Sequence, residues 1–507
     1  MPRPGVSRTV VREAAGNPPF VRLLSIFQVP LRDAMTVTKG YESRRADCFE
    51  ELRQEPHTIV EAVAAGDEPT ARGAAMNRPL LGVIADDFTG ATDVAGMLVQ
   101  AGMSTLLTIG VPACETQDGA AFEADAVVVA LKSRTTAPEE AIAQSLATLE
   151  RLRSAGCERF YFKVCSTFDS TPRGNIGPVA EALMQALGTT FTIACPAFPE
   201  NGRSVYQGHL FVGNMLLSDS GMKDHPLTPM TDANLVRWLQ AQTRLRVGLL
   251  AHAPTPAGTD ETQAVAALSQ RLDQLRAEGV RIAIADAIDN ADLARLAAAC
   301  ADLPLVVAGS GLALGLPAAY AARGRLSVTA LAQALPAVGG HAAVLSGSCS
   351  TATQAQVQRW IDAGRPAFRI DALALGAGAP LAAQALAWAQ PKLAAGPVLI
   401  HATTHADDVR AAQQQLGAGS AGALVEHCLA EVAVGLHRAG VRRMVVAGGE
   451  TSGAVVQALG VQRLRVGAPI DPGVPWTQAE GRSLLLALKS GNFGGVDFFA
   501  KALAQVR

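Results

Sequence analysis

Leu80-Leu-Gly-Val-Ile-Ala-Asp-Asp-Phe-Thr-Gly-Ala-Thr-Asp-Val-Ala-Gly-Met-Leu-Val99 decides the fold. Its apolar run, Leu80 to Ala85, reads as a buried strand, Asp86 to Gly90 as a polar loop, and Ala91 to Val99 as a helix with apolar residues at helical spacing. The unit returns downstream. Ala124–Ala130, Lys132-Ser-Arg134 and Pro138–Arg153 give strand, loop and helix, as do Arg159–Val164, Ser166–Thr171 and Ile176–Leu187. Further strands are expected at Phe191–Cys195, Val247–Leu250, Arg281–Asp286 and Leu305–Ala308, with a helix at Asp289–Ala301.

Past an Ala, Gly and Pro-rich stretch around Ala321–Gly340, a second series begins. His341–Leu345 leads into Ser346-Gly-Ser-Cys-Ser350, Pro397–His401 into Ala402-Thr-Thr404, and Val441–Ala447 into Gly448-Gly-Glu-Thr-Ser-Gly453. Strands alternating with helices predict an α/β chain of two domains, 76–325 and 326–507, each a mostly parallel sheet flanked by helices. In such sheets the ligand sits at the carboxyl ends of the strands, so the polar loops are where chemistry is expected.

The 507 residues, 49% hydrophobic and 17% charged, suffice for two cores. With 43 basic and 45 acidic residues the formal charge is -2, which removes the basic footprint of a nucleic-acid binder and gives no attraction to an anionic membrane. No stretch reaches the roughly 18 to 20 apolar residues that a spanning helix needs. Eight scattered cysteines, with neither a C-x-x-C pair nor zinc-ligand spacing to histidine, suit free thiols in a reducing cytoplasm. A small-molecule ligand is the expectation. Residues 1–75 read differently: Arg-rich, but with Glu42, Asp47, Glu50, Glu51 and Glu55 against a mitochondrial presequence, and with no strand-turn-helix unit. They are expected to be a non-native or disordered extension, with Met76 as the natural start.

The loops of the two series differ in chemistry. The second carries Ser346–Thr353, Gly448–Gly453 and Lys489-Ser-Gly-Asn-Phe-Gly-Gly495, whose small residues let backbone N–H groups approach a phosphate at a helix N-terminus. Each alone reads better as a plain helix start, and neither a Walker A nor a Rossmann glycine pattern is present, but three in one domain shift the balance towards a nucleotide. The first carries charge: Asp86, Asp87, Lys132, Arg134, Lys163, Asp169 and Arg203. Carboxylates there can orient or deprotonate a hydroxyl, and the cations can hold a carboxylate or a phosphoryl group. Asp86 or Asp169 could instead be helix N-caps. His401 and His405 are spaced for a metal on a helix, but the first falls at a strand end, and surface or capping roles suit them better.

Gly82–Asp93, Leu131–Arg134, Phe162–Thr171, Asn201–Arg203, Ser346–Ser350, Gly448–Thr451 and Lys489–Gly494, in this order, resemble the four-carbon acid sugar kinase family from about Met76 to the end. Within it, Tyr161–Pro178 and His225–Asn234 resemble the branch acting on 3-oxo-tetronate rather than those acting on threonate or erythronate. The resemblance implies an N-terminal acid-sugar domain, a C-terminal nucleotide domain, an active site in the cleft between them, and transfer of phosphate from ATP to a 4-hydroxyl. It implies ATP contacts at Ser346, Gly448, Gly449, Glu450, Thr451 and Gly491. On the acid-sugar side it implies Asp86, Lys132, Ser166, Asp169 and Arg203, with Asp87, Arg134 and Lys163 as catalytic candidates. Mg2+ would bridge the ATP phosphates through water and at most one carboxylate, so no direct protein ligand set is expected. The partners implied are the acid sugar and ATP, with a homo-oligomer left open.

Two other classes remain. A nicotinamide-dependent dehydrogenase would need a glycine fingerprint followed by an acid about 20 residues on, which is not seen. A non-catalytic sugar-acid sensor would leave the Gly/Ser loops of the second series idle.

Overall fold

The computed structural model describes residues 78–112, 122–225, 227–254, 256, 258–328 and 334–506, so the expectation for residues 1–75 lies outside the described residues. The strands of the first series are β1 (Leu81–Ala85), β2 (Thr105–Ile109), β3 (Ala126–Ala130), β4 (Arg159–Lys163), β5 (Thr192–Cys195), β6 (Arg203–Tyr206), β7 (His209–Val212), β8 (Met215–Leu216), β9 (Val247–Leu250), β10 (Ile282–Ala285) and β11 (Leu305–Ala308). Those of the second are β12 (His341–Ser346), β13 (Ala367–Arg369), β14 (Val398–His401), β15 (Val441–Ala447), β16 (Arg463–Asp471), β17 (Val474–Ala479) and β18 (Leu485–Lys489).

β1 and β3 are buried at every residue, as strands covered by helices on both faces must be, and they pair in parallel. The first series continues this pattern as β2-β3-β1-β4-β11-β5-β10-β9, all parallel. The second runs β13-β14-β12-β15-β18 in parallel and then turns antiparallel through β17 and β16. β16 lies antiparallel to β2, with Leu464 opposite Leu107, so the two series join edge to edge in one 15-stranded sheet. The fold is therefore α/β and mostly parallel, as read from the sequence, with a junction that the reading did not contain. β6, β7 and β8 form a separate small antiparallel sheet that carries Arg203.

β1 has β3 on one side and β4 on the other, and β12 has β14 and β15. At such switches of strand order the loops beyond the carboxyl ends part and leave a crevice. Among the described residues no helix is long and apolar enough to cross a membrane.

Candidate active site

β1 ends at Ala85 and delivers Asp86 and Asp87 to its carboxyl end, ahead of the helix Phe88–Gln100. Asp87 is the N-cap of that helix: its carboxylate accepts from Gly90 N at 3.0 Å and from Thr89 Oγ1 at 2.8 Å. The cap is thus Asp87 and not Asp86. Asp86 instead receives a bidentate fork from Arg134, Nε at 2.9 Å and Nη2 at 2.7 Å, and the same Nη2 reaches Asp87 Oδ1 at 2.6 Å. This planar pairing fixes the guanidinium in orientation as well as position. Burial pushes the Asp86 carboxyl above its ordinary value in spite of Arg134. Burial acts on Asp87 too, but Arg134 and Lys163 outweigh it and hold that carboxyl below the usual range.

The loop after β4 closes the cluster. Phe168, buried, takes φ +55, and this left-handed turn precedes Asp169, which stands 3.7 Å from Arg134 Nη1 and accepts from Thr167 Oγ1 at 2.6 Å. The next helix begins only at Ile176, so Asp169 caps nothing. Ser166 is buried in the same loop. Lys163, also buried, donates to Val164 O at 2.7 Å, with its Nζ beside Gly90. Asp93, on the helix begun by Asp87, accepts from Ser310 Oγ at 2.6 Å through Oδ2, while Oδ1 has no partner among the described residues. Burial pushes its carboxyl up to about 6, against the pull of Lys163.

In the second series three loops converge. Ser350 caps the helix Thr351–Asp362, and both Ser350 Oγ (2.6 Å) and Thr353 Oγ1 (2.7 Å) donate to Gly491 O. Gln356 Nε2 lies within 3.1 Å of the carbonyls of Phe493, Gly494 and Gly495. Gly491 packs so closely that a Cβ there would collide with Ser348 Oγ. Gly448 has φ +126, and a Cβ would stand 2.9 Å from Thr451 Oγ1 and 3.2 Å from Ser348 N. The helix Gly449–Ala458 starts at this point, so its free N–H groups and positive end face the space between the loops. Behind the loops, fully buried Ser346 is occupied by Thr403 Oγ1 at 2.7 Å.

These loops open into a cavity of ≈ 460 Å³. Ser348, Gly448, Thr451 and Gly491 line one part of it, and Ile370, Leu373, Val409, Ala412 and Val425 form an apolar lining elsewhere. A polar cradle with an apolar slot accommodates a phosphate chain joined to a planar base. The cradle also touches the first series. Lys132 Nζ lies 2.5 Å from Glu450 Oε2, and a Cβ on Gly449 would be 3.7 Å from Thr89 Oγ1, next to Asp87.

The structure brings together Asp86, Asp87, Arg134, Lys163 and Asp169, and separately Gly448, Gly449, Thr451 and Gly491, with the Lys132–Glu450 pair joining the two groups. Arg203 donates to Asn201 O, and its charge acts on Asp93, which also feels Lys163 and Asp87. The side chain of Ser346 faces Thr403 and does not line the cavity. His401 is buried rather than at the surface, with Nδ1 3.3 Å from Thr403 O, and burial lowers its pKa. The sequence reading missed Asp93, Gln356 and Lys489 as site residues. A further polar residue in the first helix was the available signal for Asp93, and a lysine ending an apolar run was the signal for Lys489.

Residues 81–316 match the family described as the sugar-binding N-terminal domain, and residues 343–499 that of the nucleotide-binding C-terminal domain. A 3-oxo-tetronate kinase of Pseudomonas fluorescens is 60% identical over 430 residues, covering 85% of this chain and 97% of the relative. A 3-oxo-tetronate kinase of Burkholderia multivorans is 59% identical over 431 residues, covering 85% and 98%. The crystal structure of a Salmonella typhimurium LT2 protein described as a tRNA synthase is 44% identical with TM-score 0.73, covering 84% of this chain and 99% of that one.

Proposed function

This chain belongs to the four-carbon acid sugar kinase family, and from that footing we propose that it moves the γ-phosphoryl group of ATP to the 4-hydroxyl of 3-oxo-tetronate, giving 3-oxo-tetronate 4-phosphate and ADP. It is an ATP-using phosphotransferase with an alcohol acceptor, and its place is in the breakdown of four-carbon acid sugars in the cytoplasm. The relatives' shared name favours the 3-oxo acid over D-threonate or D-erythronate. The match to a nucleotide-binding domain argues against an idle second half, and so against a sugar-acid sensor.

One observation carries this reading: the glycine loop at Gly448–Thr451 meets the helix end capped by Asp87, with Gly449 against Thr89. Two helix N-termini, at Phe88 and Gly449, then serve one junction, where phosphoryl charge would be spread in a loose transition state. In our assignment the acid-sugar domain spans 76–325, the nucleotide domain 326–507, and transfer occurs in the cleft between them.

Asp87 would orient the attacking 4-hydroxyl. Its lowered pKa and three accepted hydrogen bonds, which leave an acceptor site on Oδ2 for the hydroxyl, suit orientation better than retention of a proton, and phosphoryl transfer asks mainly for alignment. Arg134 has Nε and Nη2 committed to Asp86 and Asp87, and Nη1 3.7 Å from Asp169, so it acts chiefly by holding those carboxylates. Lys163 would shield the transferring group, while Ser166, Asp169 and Arg203 would line the acid-sugar side. Among the described residues no group of three or more His, Cys, Asp or Glu side chains could hold a metal. Mg2+ would arrive on ATP with most of its water and offset phosphate charge.

The test is ADP release from ATP and magnesium with 3-oxo-tetronate, D-threonate, D-erythronate and their L forms. Turnover on the 3-oxo acid alone is expected. Turnover only on a threonate or erythronate would move the substrate within the family, and silence without ATP binding would end the kinase reading.

A further inference from the structure

Lys489 ends β18 at the floor of the third loop and is fully buried. Its ammonium uses all three donors: Thr353 Oγ1 at 3.0 Å, Ser490 O at 2.9 Å and Gly491 O at 3.0 Å. Every one of these acceptors is neutral. A buried cation held by dipoles alone is costly, and it persists where a counter-charge joins it in the working state. The same Gly491 carbonyl takes Ser350 and Thr353, and Gly491 lines the cavity beside Ser348 and Gly448.

The other charged and titratable groups on the surrounding elements are accounted for. Asp93 and Asp87 on the Phe88 helix are held by Ser310 and by Arg134. Glu450 on the Gly449 helix pairs with Lys132, and Arg442 and Arg443 lie at the opposite end of β15, where Arg443 pairs in register with Leu485. Arg359 and Asp362 come later on the Thr351 helix, and Cys349 in the first loop has its thiol pushed up by burial. β17 carries no titratable residue. Among the described residues none of these forms an ion pair with Lys489.

We propose that Lys489 is the buried counter-charge of the nucleotide phosphates, a positioning residue that clamps the third loop to the first and completes its charge balance when ATP lies over Gly491. The inference rests on the reading of the cavity as an ATP site. It has a linkage consequence. Burial draws the Lys489 ammonium down to about 7 in the free protein, and phosphates close by raise it again. The contribution of this charge to ATP affinity is therefore complete below about pH 7 and falls by up to about tenfold per pH unit above it, until the bound-state pKa is passed.

Calorimetric titration of ATP, without acceptor, in two buffers of different ionisation enthalpy reads the proton directly. At pH 8, where ATP is already deprotonated, wild type should take up close to one proton per ATP, and at pH 6 the uptake that differs between wild type and Lys489→Met should be close to none. Lys489→Met should lose the uptake and bind ATP about 10- to 100-fold more weakly. Lys489→Arg should bind with no proton uptake, since a guanidinium stays charged at both pH values. Glu426 lines the same cavity with its carboxyl raised by burial, and the Met variant separates its proton from that of Lys489. If the Met variant fails to fold, the wild-type proton count and the Arg variant still decide. ATP bound by wild type without uptake at pH 8, or equal uptake by Lys489→Met, would overturn the proposal. Absence of any ATP binding to wild type would instead remove the nucleotide reading on which it rests.

Discussion

Lys132 Nζ stands 2.5 Å from Glu450 Oε2, an ion pair between a loop of the first strand series and the opening turn of the Gly449 helix in the second. Both side chains remain well exposed, at 69% and 59%, so water and salt screen the pair. It ties two loops at the site rather than supporting the fold.

Lys132→Ala should therefore lower stability by no more than about 1 kcal/mol in urea unfolding. Its effect should appear in kcat/KM, as a loss that shrinks in high salt and that is not added to by Glu450→Gln in a double-mutant cycle. Additive losses would mean that the two residues act on separate ligands.

Arg134 is the opposite case. It is 19% exposed and holds two carboxylates, with Asp169 close by. Arg134→Ala leaves buried negative charges unpaired and should cost about 3–5 kcal/mol in the same unfolding assay. Arg134→Lys keeps a charge but not the fork to Asp86, so an intermediate loss is expected.

The glycine cradle allows a cleaner separation of binding from folding. Gly491→Ala puts a methyl group into Ser348 Oγ, and Gly448→Ala adds one at φ +126 facing Thr451. At least about a tenfold rise in the ATP Kd is expected for each. Titration of ATP followed by protection against thermal unfolding would read it, and unchanged affinity would show that the phosphates lie elsewhere.

Asp93 makes stability depend on pH. Its folded pKa, about 6 against an ordinary 3.8, is raised, so folding favours the protonated form. The folded state is then penalised progressively as pH rises from about 4 to 6, and fully above that. Asp93→Asn removes the penalty and should stabilise the protein by about 1–3 kcal/mol at pH 8, with little change at pH 4. A stabilisation equal at both pH values would place the cause elsewhere.

The parallel core was legible because strands such as Val127-Val-Val129 are continuously apolar and are followed by polar loops that open helices. β16 was not, since Arg463-Leu-Arg-Val-Gly-Ala-Pro469 breaks its alternation with Gly467 and Pro469, and its pairing with β2 is long-range. The charged loops announced Asp86, Asp87 and Arg134, because acids and arginine directly after buried strands have few other uses. Which acid caps the helix is a matter of backbone angle, fixed only in the folded loop. Lys489 escaped for a different reason: lysine is rarely buried, and its acceptors lie on a helix far upstream and in its own loop.

The most direct measurement is turnover and ATP affinity of Asp87→Asn beside wild type, with 3-oxo-tetronate as acceptor. Asparagine can still cap the Phe88 helix, so the fold should hold. The account predicts a fall in kcat of at least about 100-fold with the ATP Kd unchanged within about twofold. Near-normal turnover would contradict the placement of the acceptor hydroxyl at Asp87.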